Sequence, residues 1–128
     1  MSGAGSGKKK ILVVEDEVVI GTVCRVVLEA EGFDVYIAAD CLTAQKMINH
    51  TNYDLCLIDI FMPEMSGRQL YQWLLETHPQ LATRVIFSTG SAMDERIKKF
   101  LEKSGRPLLP KPFSIDELIG ITQEAMRR

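Results

Sequence analysis

The sequence predicts an α/β fold, a parallel sheet covered by helices on both faces, and three observations predict it. Short apolar runs recur five times along the 128 residues, segments with helical apolar spacing fill the gaps, and 46% apolar content suits one ordinary core. Strict alternation of strand and helix argues for parallel neighbours, because a parallel pair needs a crossover and the crossover is usually a helix. Such crossovers are right-handed, and open α/β sheets gather ligands beyond the carboxyl ends of their strands. Function is therefore sought at those ends.

The elements follow in order. "KILVV" (10–14) is rich in Val and Ile and ends in acids; Val19, Val23, Val26, Val27 and Ala30 follow at helical spacing, with Gly32 placed to stop that helix. "DVYIA" (34–38) precedes a helix marked by Ala44, Met47 and Ile48. "LCLID" (55–59) precedes one marked by Leu70, Trp73 and Leu74, behind a Ser66/Gln69 start signal. "RVIFST" (84–89) precedes one marked by Ile97, Phe100 and Leu101, behind Ser91 and Asp94. "PLLPK" (107–111) leads to a last helix with Ile115, Leu118, Ile119, Thr122, Ala125 and Met126 on its apolar face, behind Ser114 and Glu117.

Composition removes several function classes. A net charge of -2 offers no broad basic field, so direct nucleic-acid binding is not expected. Cys24, Cys41 and Cys56 are odd in number and lack a CxxC spacing, which argues against a disulfide framework or a zinc site and for core thiols of a reducing cytosol. No apolar run reaches the roughly 20 residues a membrane helix needs, and no signal-peptide pattern opens the chain, so a cytoplasmic location is expected. Residues 1–8 read as a flexible leader or linker before a domain at 9–128. The "GSGKK" within "MSGAGSGKKK" is no phosphate loop: Lys9 stands where a hydroxyl residue belongs, and the strand follows the motif instead of preceding it.

The strand ends carry the chemistry. Glu15 and Asp16 follow the first strand, Asp59 ends the third, Thr89 the fourth and Lys111 the fifth. Glu15 and Asp16 could simply begin a helix, where acids are favoured. Thr89 could bond to backbone and Lys111 could be solvated. Asp59, directly behind "LCLI", resists such a reading, because a buried carboxylate needs a partner or a metal. If the strands place these groups on one rim, the oxygen ligands suit Mg²⁺. Asp59 could then act as nucleophile toward phosphorus, with Mg²⁺ and Lys111 neutralising the phosphoryl oxygens and Thr89 donating its hydroxyl once phosphate arrives.

"VVEDE", "LIDIFMPEMSG", "FSTG" and "PKPF", in that order at the ends of strands 1, 3, 4 and 5, resemble the response-regulator receiver domains of two-component phosphorelays. The resemblance runs from about residue 9 to the carboxyl terminus and implies a flavodoxin-like (βα)5 fold with strand order 2-1-3-4-5. It implies Asp59 as phosphoacceptor and Asp16, Asp59 and the Phe61 carbonyl as direct Mg²⁺ ligands. Glu15 would be a ligand through water, and the Lys111–Pro112 peptide would often be cis. The implied partner is a sensor histidine kinase or phosphotransfer domain, and a homodimer could form through the face of the fourth and fifth predicted helices. Leu108 stands where the family often has an aromatic switch residue, which puts a rotamer switch in doubt. The "GRP" at 105–107 resembles receivers fused behind a sensor kinase, and a fragment of such a hybrid kinase is the expected parent, with a stand-alone regulator as the alternative.

Two rivals use similar folds. A phosphohydrolase of the haloacid-dehalogenase kind wants a second Asp two residues after the nucleophile, where Phe61 stands, and a substrate cap. An electron carrier of the flavodoxin kind wants a phosphate-binding loop after strand 1, where "EDEV" would repel phosphate. The domain is therefore expected not to be an enzyme in isolation.

Overall fold

The apolar runs form five parallel strands in a computed structural model that describes residues 7–90 and 92–127. They are β1 (Lys10–Val14), β2 (Asp34–Ala38), β3 (Leu55–Asp59), β4 (Val85–Thr89) and β5 (Leu108–Pro110), and the sheet order is β2-β1-β3-β4-β5. Residues 1–6 of the expected leader, and Ser91, lie outside the described residues. The helices are α1 (Val18–Ala30), α2 (Cys41–His50), α3 (Gly67–Thr77), α4 (Pro79–Ala82), α5 (Glu95–Ser104) and α6 (Ile115–Arg127).

Local chemistry sets the helix ends. α1 stops where Gly32, at φ 96°, lets its own N–H reach the Glu29 carbonyl and the Phe33 N–H reach that of Leu28. Asp40 caps α2 by accepting from the Thr43 N–H at 2.7 Å, so this acid belongs to a helix end and not to the site. Ser66 and Gln69 exchange bonds of 2.9 and 3.2 Å in a capping box that opens α3, and Ser114 and Glu117 do the same before α6.

Several details differ from the sequence reading, among them the exposure of Val19, Val23 and Val26, since α1 buries Gly21, Cys24 and Leu28 instead. The one-turn α4 was not expected; Pro79 presets its φ at the first helical position. α5 is capped by Asp94, expected only as the acid of a start signal, whose carboxylate accepts from the Ile97 N–H at 3.0 Å. β5 is shorter than "PLLPK", covering Leu108–Pro110, and lies at the sheet edge, where a proline is tolerated.

The period-2 alternation of the strands sorts their side chains onto two cores. Leu12, Val14, Cys56, Ile58, Val85 and Phe87 face one side, where α2, α3 and α5 pack. Ile11, Val13, Leu55, Leu57, Ile86 and Leu109 face the other, against α1 and α6. Each fully buried Leu or Ile contributes roughly 1.5–3 kcal/mol, so the two layers fix the strand register that places the carboxyl ends together. Cys24, Cys41 and Cys56 are free and buried, as expected of packing thiols. Among the described residues no helix is long and apolar enough to cross a membrane.

Candidate functional site

β1 ends at Val14, and the next residue, Glu15, stays in line with the sheet because its N–H donates to the Ala38 carbonyl at 3.0 Å. Its side chain is buried while Asp16 and Glu17 are exposed. Glu17 occupies the N-cap of α1 yet makes no side-chain capping bond; its Oε1 accepts from the Lys111 Nζ at 3.2 Å instead. The acids after β1 are thus turned toward the sheet end and away from service to the helix.

β3 delivers Asp59, 5% exposed, into the same space. Its Oδ1 accepts from the Phe61 N–H at 3.0 Å and its Oδ2 from the Lys111 Nζ at 3.0 Å. Gly67, the first residue of α3, makes this placement possible: a Cβ there would collide with the Asp59 carbonyl oxygen and lie 2.9 Å from the Ile60 Cα. The helix therefore leans on the backbone that carries the carboxylate.

β4 and β5 bring the cation. Thr89 is buried at the end of β4, and its carbonyl accepts from the Lys111 N–H at 2.9 Å. The Lys111–Pro112 peptide is cis. The Lys111 stem passes Gly90, where a Cβ would touch its own Cβ at 3.4 Å, and its Nζ reaches Glu15 Oε1 at 2.8 Å as well as Asp59 and Glu17. Burial opposes the charge of Lys111, but its bonds to Glu15 and Asp59 outweigh that and hold the ammonium above the usual lysine range. Burial pushes Glu15 above the usual carboxylate range, with its bond to Lys111 opposing.

Asp16, Glu17, Asp59, Phe61, Gly90 and Lys111 line a pocket of about 660 Å³ open to solvent. The predicted Glu15, Asp16, Asp59 and Lys111 thus converge, and Phe61, 43% exposed, borders them. Thr89 is buried at the end of β4, and the next residue, Gly90, lines the pocket. Sequence reasoning missed Glu17, whose signal was its place in the same acidic run, and Gly67, whose signal was a glycine at the first turn of a helix, where a better helix former would normally stand.

The donor set fits a hard divalent cation. Glu15, Asp16, Glu17 and Asp59 each offer a carboxylate oxygen, all within 4.8 Å of one another, against the single ammonium of Lys111. That surplus of negative oxygen suits Mg²⁺ and leaves room for an anion only where cations offset it.

Comparison with known proteins agrees with this geometry. A family model described as a response regulator receiver domain matches residues 11–123. The transcriptional regulatory protein CpxR of Escherichia coli K12 is 33% identical over 119 residues, 93% of this chain and 50% of that protein. The transcription factor SKN7 of Candida albicans is 33% identical over 114 residues, 89% of this chain and 20% of that protein. The chain therefore spans between a fifth and half of these curated relatives. Among solved structures, a CheY-like receiver domain protein from Methanospirillum hungatei superposes with a TM-score of 0.86 at 28% identity, covering 94% of this chain and 95% of that one. The receiver domain of the Francisella response regulator 1452 gives 0.80 at 34% identity, covering 94% and 98%.

Proposed function

Because this chain belongs to the response regulator receiver domain family, we propose that it accepts a phosphoryl group from a phosphohistidine onto Asp59. The observation that carries the reading is the buried carboxylate of Asp59, held by the Phe61 N–H on one oxygen and Lys111 on the other. A carboxylate oxygen of Asp59 attacks phosphorus, the O–P bond forms as the P–N bond breaks, and the electron pair leaves with the imidazole nitrogen. Lys111 stays charged to meet the phosphoryl oxygens, and Thr89, one strand end away, is the hydroxyl we assign to a phosphoryl oxygen once the group is in place. Asp16, Asp59 and the Phe61 carbonyl are the residues we assign to Mg²⁺, with Glu15 through water; the ion would neutralise charge on the transferred group.

The donor is a protein domain. Val19 and Val23 on α1 line the pocket and are 75 and 42% exposed, Val26 continues their helical spacing at 63%, and such exposed apolar side chains mark a docking surface for a histidine-bearing partner. For the parent molecule, the transcriptional regulators named above favour a response regulator over the hybrid kinase suggested by the stretch at 105–107. Phe61 at the position of a second catalytic Asp argues against phosphohydrolysis.

The test is to incubate the protein with Mg²⁺ and acetyl phosphate and weigh it intact. A labile gain of one phosphoryl group that vanishes in Asp59→Asn and is suppressed in Asp16→Asn is expected. No gain, or a gain that survives Asp59→Asn, would sink the assignment.

A further inference from the structure

The exposed face of α5 is not the evenly mixed charged surface that "DERIKK" suggests. Its charges are sorted. Arg96, Lys99 and Lys103 line a groove against α3, while the acids of the helix, Glu95 and Glu102, do not. Across the groove α3 contributes Arg68, whose guanidinium lies 5.2 Å from the centre of the Phe100 ring, together with Tyr71 and Leu75. The groove measures about 590 Å³ and no carboxylate lines it. Among the described residues, no acid pairs with Arg68, Lys99 or Lys103; only Arg96 meets one, Asp94 at 3.7 Å.

We propose that this groove takes an acidic amphipathic helix of a partner protein. The cations on α5 recur at i, i+3 and i+7, a run of about 10.5 Å that matches acids one and two turns apart on a helix laid alongside. Leu75, 45% exposed on the α3 wall, gives the apolar side of such a helix its contact. A nucleotide fits less well: Tyr71 and Phe100 are 6 and 8% exposed and locked edge-on with Phe87, and Arg68 covers Phe100, so no ring face is open to a base. A flat membrane fits less well because the cations line a concave cleft between two helices. This surface is separate from the phosphoryl pocket, and the inference does not depend on Asp59.

The probe is a fluorescein-labelled helical peptide of about twelve residues, ~18 Å long, with Glu on one face and Leu beside it, read by anisotropy against the folded protein. Saturable binding that weakens with salt is expected, with affinity reduced about tenfold or more in a Lys99→Glu/Lys103→Glu double variant and reduced in the same direction by Arg68→Gln. Lys98→Glu, on the side of α5 that pairs with Glu95, should leave it unchanged. Circular dichroism of each variant checks that the fold is intact. Absence of binding, equal binding of a scrambled peptide of the same composition, or equal loss in Lys98→Glu would overturn the proposal. Displacement of the peptide by phosphatidylserine vesicles through the same two lysines would overturn it in favour of a membrane surface.

Discussion

Replacing Gly67 by Ala tests how tightly α3 is seated on the strand that carries Asp59. The added Cβ would collide with the Asp59 carbonyl oxygen, lie 2.8 Å from the Ile58 Cγ2 and lie 2.9 Å from the Ile60 Cα. Two of these three neighbours are backbone, so no rotamer change relieves them. The helix must back away, by about half an ångström at Ile60 to reach an ordinary 3.4 Å contact and by more at Asp59. Overpacking of this kind costs about 1–3 kcal/mol, and with backbone on both sides the upper part of the range applies, about 2–3 kcal/mol. For a domain of this size each kcal/mol moves the midpoint by about 4 °C, so a fall of about 8–12 °C is expected. The same substitution at Gly120, inside α6 with no atom within 4 Å of the new Cβ, should go the other way. There the helix propensity of Ala gives a gain of about 0.5–1 kcal/mol, or about 2–4 °C. Thermal unfolding followed by circular dichroism reads both variants. A neutral Gly67→Ala, or a Gly120→Ala that lowers the midpoint, would refute the reasoning that close approach to Asp59, and not helix propensity, demands the glycine.

Two further outcomes follow from particular residues. Burial raises the thiols of Cys24 and Cys41 from the ordinary 9.0 to about 11 and about 12, and pushes Cys56 upward as well. The folded state holds these protons more tightly than the unfolded one, so the associated stability is complete below pH 9.0 and is lost as pH rises through 11 to 12. Urea midpoints measured up that range should fall, with iodoacetamide labelling none of the three thiols at neutral pH until the protein unfolds; rapid labelling of the native protein would contradict it. Glu64 holds φ at 63°, a left-handed conformation that costs an L-residue about 1–2 kcal/mol, so Glu64→Gly should gain about 0.5–1 kcal/mol after the added chain entropy of glycine is subtracted. Chemical denaturation checks this, and a loss of stability would mean that the Glu64 side chain compensates for its backbone.

Most of the architecture was legible because alternating strand and helix leave few topologies. The first three strands have the bounds read from their apolar runs, and the carboxylates after β1 and β3 lie together because parallel strands present all their carboxyl ends on one edge. What was not legible depended on geometry that periodicity does not encode. The four-residue α4 is too short for any repeat to show. Asp94 was read as the partner of a start signal at Ser91 and is itself the cap of α5, which only its bond to Ile97 reveals. Glu17 looked like helix; its carboxylate is drawn to Lys111 because one ammonium stands against four acids. Thr89 is as buried as Glu15 and Asp59, a degree of enclosure that its place at a strand end did not reveal.

The cost of burying Asp59 is met by sharing. Lys111 is anchored at its backbone to Thr89 at 2.9 Å and at its ammonium to Glu15, Glu17 and Asp59, so one side chain spans the sheet from β5 across to β1. Removing one partner from a buried ion pair typically costs about 3–5 kcal/mol, whereas here any change of charge at Asp59 leaves Lys111 two other carboxylates. The arrangement therefore tolerates chemistry at Asp59 that a single pair would not. Because the same residue donates its backbone N–H to Thr89 at the end of β4, the shared ammonium is also held from the strand side of the pocket.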